Sequence, residues 1–150
     1  MRKPAAAAAR GTTVATPTEP TEFTVGFNAG EQYEIEVRGH RLLVDQPVEA
    51  GGADEAPTPT ELFVASLAGC TAYFAGRYLT RHGFDRDGLR VETAFTMATD
   101  RPARVAMIQV VVHPPEGFPV ERIPALTAVV NHCTVHKSLT NPPDIVIKVG

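Results

Sequence analysis

No apolar run in this sequence approaches the ~20 residues that a membrane-spanning helix requires, which excludes a helical membrane span. A basic excess is missing too. Fourteen Lys and Arg against 17 Asp and Glu leave a formal net charge of −3, so there is no electrostatic footprint for nucleic acid or for an anionic membrane surface. Met1-Arg2-Lys3 and the alanines from Ala5 to Ala9 imitate an export signal, but the apolar part is too short and too weakly hydrophobic. The expected compartment is therefore the cytoplasm, where thiols stay reduced. Cysteine is scarce: only Cys70 and Cys133 occur. In a reducing compartment such a pair is expected to be free, whether redox-active or inert, rather than a structural staple. The only glycine pair ahead of a helix, Gly51-Gly52, has neither phosphate-loop nor dinucleotide spacing. Internal repeats are also lacking.

What is present is ordinary globular composition. A chain of 150 residues, 43% hydrophobic and 21% charged, can bury a core as one domain. Residues 1–22, rich in Ala, Thr and Pro, read as a flexible tail, leaving 23–150 as the folded unit.

The stretch Thr58–His82, TPTELFVASLAGCTAYFAGRYLTRH, predicts one long helix with Cys70 at its middle. Thr58 caps it, Pro59 takes the first helical position, and Glu61 completes a capping box. Arg81, His82 and Gly83 supply the basic last turn and the stop. At ~100° per residue, Phe63, Ser66, Leu67, Tyr73, Phe74 and Arg77 share the face of Cys70.

Around this helix the pattern predicts strands. Phe23–Phe27 and Gln32–Val37 alternate across Asn28-Ala29-Gly30 as a hairpin, and a short strand Leu42–Asp45 follows. Residues 46–57, with Pro47, Gly51, Gly52 and Pro57, predict a loop. Leu89–Thr99 and Val105–His113 form a second hairpin. A second helix is expected over roughly Val120–His132, with a slight kink or a late start at Pro124 and Cys133 at its C-terminal end, and a final strand over Ile145–Val149. The expected class is α+β, with antiparallel hairpins forming a sheet covered by two main helices.

Read from the residues alone, the two cysteines leave three alternatives open. They are small buried core residues, a redox pair, or, through His132-Cys133-x-x-His136, part of a zinc site of no common spacing. A redox role needs a cation to hold a buried sulfur as thiolate. The candidates are Arg77 on the same helix face and Arg38 and Arg41 in the preceding hairpin.

The segment GGADEAPTPTELFVASLAGCT, together with CTVHKSL around Cys133, resembles the OsmC/Ohr family. That resemblance implies an α+β fold in which two protomers intertwine as a homodimer, with sites at the interface. It implies a thiol-dependent peroxidase acting on organic hydroperoxides. Cys70 would be oxidised to a sulfenic acid and Cys133 would resolve it as an intramolecular disulfide. A dithiol reductant, lipoyl-type or thioredoxin-like, would regenerate the pair, and neither metal nor organic cofactor is required. Phe63, Leu67, Tyr73 and Phe74 would line the site for the hydroperoxide tail. Arg41, Arg38 and Glu61 would serve the catalytic thiol. The family's peroxidases hold their arginine with a glutamate ten residues before the reactive cysteine, a place taken here by Thr60. Glu61 lies one residue later and on an ideal helix points ~180° from Cys70, which favours its capping role. The alternative implied by these departures is a non-catalytic OsmC-like protein that binds a small apolar or electrophilic ligand at the dimer interface.

Overall fold

The computed structural model describes residues 18–150. Most of the expected tail lies outside the described residues, and 18–22 form no helix or strand. Strands β1 (Thr24–Ala29), β2 (Gln32–Val37) and β3 (His40–Val44) make one antiparallel sheet in that order. Strands β4 (Arg90–Met97) and β5 (Val105–His113) make a separate antiparallel pair. Helix α1 (Pro59–Arg81) connects the two sheets, and α2 (Ile123–Val130) and α3 (Thr134–Thr140) follow β5. The α+β class and both hairpins are as expected. The strands form two sheets rather than one.

The start of α1 is built by its local sequence. The Glu61 amide donates to Thr58 Oγ1 at 3.2 Å, and the Glu61 carboxylate accepts the Thr58 amide at 2.7 Å, so Pro59 opens a fully capped helix. Val64, Leu67, Thr71, Ala75, Tyr78 and Leu79 are its buried stripe, at the spacing of one helical face. That stripe lies against β4, β5 and α2. Ala75, Tyr78 and Leu126 form the centre of the core, enclosed by Leu89, Val112, Phe118, Val129 and Val130.

The sheet β1–β2–β3 is different. Its register sets Val25, Ile35 and Leu42 side by side, and Phe27, Tyr33 and Val44 beside them, which places these apolar side chains on one face. The opposite face carries Glu34, Glu36 and Arg41. The sheet packs against none of α1, α2, β4 or β5 to any extent, and Phe27 is 68% exposed.

Loop 46–57 is ordered around Asp45, whose side chain is wholly buried. The Gln46 amide donates to its Oδ1 at 2.7 Å; the Ala53 and Glu55 amides donate to Oδ2 at 3.2 and 3.1 Å. The Gln32 side-chain amide donates to Oδ2 at 3.3 Å and to Glu55 Oε2 at 2.6 Å, which ties the loop to β2. The Glu55 amide chiefly, then those of Gln46 and Gln32 and Ala53, hold the Asp45 carboxyl below its usual value of 3.8 against the opposing effect of burial. A depressed folded pKa contributes stability that is complete above the unfolded value and fades as pH falls through the folded one. Hydrogen exchange of the Ala53 and Glu55 amides should therefore accelerate below pH about 3.8, and Asp45→Asn should remove that acid dependence. Protection that stays constant through acid pH would contradict this.

Two expectations are corrected. The second helix does not run from Val120 to His132. Residues Val120–Arg122 form a 3-10 turn, α2 begins at Ile123 with Pro124 in its first turn, and it ends at Val130, so Cys133 opens α3 rather than closing α2. The final strand Ile145–Val149 is not formed: the described chain after α3 has no regular element, and Ile147 is 87% exposed. The β-branched run suits a strand, but a strand exists only where another edge accepts its hydrogen bonds, and no edge among the described residues does so.

Candidate functional site

Cys70 projects from the middle of α1, just outside the buried stripe, and is partly buried; Cys133 is completely buried. Both are free thiols. They lie on neighbouring helices, since α3 packs against α1, and the nearness of Cys70 pushes the Cys133 thiol further up.

The conformation of Cys133 follows from its position. It is extended, with φ −59° and ψ 141°, and is the N-cap of α3, where its Sγ accepts the His136 amide at 3.3 Å. Helix N-caps favour Ser, Thr, Asp and Asn; here sulfur, a weak acceptor, fills that place. Burial pushes the Cys133 thiol above its ordinary value. The His136 amide works against that, the neighbouring Cys70 adds to it, and the Thr71 hydroxyl opposes it. Cys133 is thus held as a protonated thiol at neutral pH and is shielded from solvent. Cys70 is the sulfur a solute can meet.

A cleft of about 820 Å³ lies beside the pair, between α1, β5, α2 and α3. Phe63, Leu67 and Thr71 from α1, Ile123 and Leu126 from α2, and His136 and Leu139 from α3 line it together with apolar residues of β5. Thr71 and His136, which both oppose the upward shift of the Cys133 thiol, are therefore part of its wall, although neither sulfur is. Of the expected tail-binding residues, Phe63 and Leu67 line this cleft. Phe74 lines a second cleft, between α1 and α2. Tyr73, 55% exposed, packs edge-on against Phe74 and lies under the Arg77 guanidinium.

The expected charged residues are not gathered at Cys70. Glu61 is engaged in the cap. Arg41 is paired with Glu34 at 3.8 Å on the polar face of its sheet. Arg38 sits at the tip of the β2–β3 turn with φ 51°, followed by Gly39 at φ 79°, the left-handed pair that a tight hairpin favours. Arg77 donates to the Tyr73 hydroxyl at 3.3 Å. Within the described residues, no cation hydrogen-bonds Cys70. No three His, Cys, Asp or Glu side chains of the described residues gather as a metal site, and no described helix is long and apolar enough to cross a membrane.

Sequence pattern passes over Asp45, Gln32, Thr71 and the His136 amide. Asp45 is legible only as the end of a strand; its role depends on amides that lie up to 13 residues away. The amide of His136 carries no sequence mark at all.

The profile of the family described as OsmC-like protein matches residues 51–148, which include α1, both thiols and most of the loop ahead of them. No curated protein matches the chain. Among solved structures, an osmotic stress induced and detoxification response protein from Psychrobacter arcticus superposes with a TM-score of 0.72 at 23% identity, over 83% of this chain and 91% of the other. The organic hydroperoxide resistance protein OsmC of Legionella pneumophila gives 0.63 at 16% identity, over 83% and 91%. OhrB of Bacillus subtilis, also an organic hydroperoxide resistance protein, gives 0.60 at 16%, over 82% and 92%. At such identities the likeness is one of fold. Matched over most of its length, with both cysteines inside the matched segment, the chain belongs to the OsmC-like protein family.

Proposed function

We propose that this protein is a thiol peroxidase for organic hydroperoxides, with Cys70 as the attacking sulfur and Cys133 as the resolving one. The observation that carries this reading is the pairing of a partly exposed thiol with a fully buried one on two packed helices. In the first step the Cys70 thiolate attacks the distal peroxide oxygen. The O–O bond breaks, a proton converts the leaving alkoxide to alcohol, and Cys70 becomes a sulfenic acid. The Cys133 sulfur then displaces that hydroxyl, which leaves with the Cys133 proton as water, and a disulfide forms. Exchange with an external dithiol, lipoyl-type or thioredoxin-like, restores both thiols and leaves the reductant as its own disulfide. The apolar cleft with Phe63 and Leu67 takes the alkyl part of the substrate. A reducing cytoplasm suits a cycle that ends on two thiols.

The same reading includes an intertwined homodimer. The unpacked apolar face of β1–β2–β3 and the exposed run Ile145–Val149 are larger than the scattered apolar residues a monomer ordinarily shows. A second copy covers them, and its β2–β3 tip brings Arg38 toward Cys70. Arg41 is the other arginine of that hairpin, and it would first have to leave Glu34.

One observation favours the non-catalytic alternative, a protein that binds a small apolar or electrophilic ligand in this cleft: Arg41, Glu61 and Arg77 already have partners away from Cys70. Intact mass with free-thiol titration after stoichiometric cumene hydroperoxide separates the two. The peroxidase loses two thiols and two hydrogens per chain. Two thiols surviving excess peroxide would leave only the binding reading.

A further inference from the structure

The second cleft, of about 480 Å³, lies between the C-terminal half of α1 and α2, and unlike the first it is lined by arginines. Its floor is apolar, with Phe74, Tyr78 and Val129, while Arg77, Arg81, His82 and His132 line it. No carboxylate does. None of these four basic residues is in an ion pair among the described residues, although the chain as a whole carries a net charge of −3. Arg77 uses one N–H on the Tyr73 hydroxyl. The His82 Nδ1 lies 2.8 Å from the Tyr78 carbonyl, so it is the protonated nitrogen that donates, and the ring stacks on Tyr78 at 4.1 Å. That leaves Nε2 free. Arg81 and His132 make no side-chain hydrogen bond among the described residues.

The geometry points to a binding site for a medium-chain carboxylate, its head held by Arg77 and Arg81 and its tail laid on Phe74 and Val129. The volume falls within the range of small-molecule sites, ~300–1,000 Å³. Guanidinium groups match the two oxygens of a carboxylate. A polyanion fits less well. The cleft adjoins the C-terminal end of α1, where the helix dipole disfavours concentrated negative charge. A single charge with an apolar tail draws its affinity from both the arginines and the floor. The site lies beside the thiols through His132, which directly precedes Cys133, and does not depend on their redox chemistry.

Titration calorimetry of the full chain with decanoate tests this, with decan-1-ol as the neutral probe. Decanoate should bind one per chain and at least tenfold more tightly than decan-1-ol. The double variant Arg77→Gln/Arg81→Gln, both positions being exposed, should lose at least tenfold in decanoate affinity with an unchanged circular dichroism spectrum, while decan-1-ol binding is retained. Ile123→Ser, which alters only the other cleft, should leave decanoate affinity unaltered. Decanoate affinity within twofold of wild type in the double variant, or equal affinity for acid and alcohol, would overturn the assignment. Since no peroxide is present, a failure of the peroxidase reading would leave these results untouched.

Discussion

Cys70→Ser is expected to slow hydroperoxide consumption by roughly 10³-fold or more, the scale on which removal of a nucleophile acts, whereas Cys133→Ser should preserve the first turnover. The physical basis is the difference in access. Cys70 is partly exposed and Cys133 is completely buried with its thiol kept protonated by burial, so only Cys70 meets a peroxide from solvent. With Cys133→Ser, one oxygen should be retained on the protein as a Cys70 sulfenic acid, detected by intact mass and by a sulfenic-acid trap. No second equivalent of alcohol should follow without added thiol. Serine at 133 is a better helix N-cap than cysteine and can accept the His136 amide that the sulfur now accepts, so the variant should keep α3. If Cys133→Ser stopped the first turnover as completely as Cys70→Ser, the order of the two sulfurs would be reversed.

Gly52→Ala should destabilise the fold by about 3 kcal/mol, as overpacking against rigid atoms does. A Cβ at this position would overlap the Gln46 carbonyl oxygen, lie 2.5 Å from the Gln46 carbonyl carbon, and lie 2.8 Å from Asp45 Oδ1. These are backbone atoms and a carboxylate fixed by four donors, so none can yield cheaply. Moving the loop instead would strip amides from a buried carboxylate, which costs more than a neutral hydrogen bond. Gly51→Ala gives the internal comparison. Gly51 has φ 91°, and a methyl group added there would meet nothing within 4 Å, so its cost is conformational alone, roughly 1–2 kcal/mol. Urea unfolding midpoints should therefore fall further for Gly52→Ala than for Gly51→Ala. Equal losses would show that packing on Asp45 is not what selects glycine at 52.

The local features were the ones legible in the sequence. Thr58, Pro59 and Glu61 determine the start of α1 through contacts three residues apart or fewer, and the alternation of Gln32–Val37 and the β-branched run Val105–His113 mark two hairpin strands. The resemblance carried by the segments around Cys70 and Cys133 pointed to the family and the α+β class. The helix boundary at Cys133 was not legible. Val120–His132 has helical spacing throughout, but Pro124 delays the helix start and the chain breaks after Val130 so that Cys133 turns inward as a cap. Ile145–Val149 has the composition of a strand and finds no edge among the described residues on which to form one.

By itself, then, the sequence determined the central helix with its cap, the two thiols, and the strands whose periodicity is local. Tertiary structure decided which of those thiols is accessible, that Asp45 organises the loop before α1, and that the residues around Cys70 divide between two apolar clefts, of which only the second is lined by arginines. The physical reason is one of range. Caps and alternation are set by neighbours within a few residues, whereas burial, the direction of the Cys133 pKa shift and the grouping of Arg77, Arg81 and His132 depend on helices that meet only after the chain has folded.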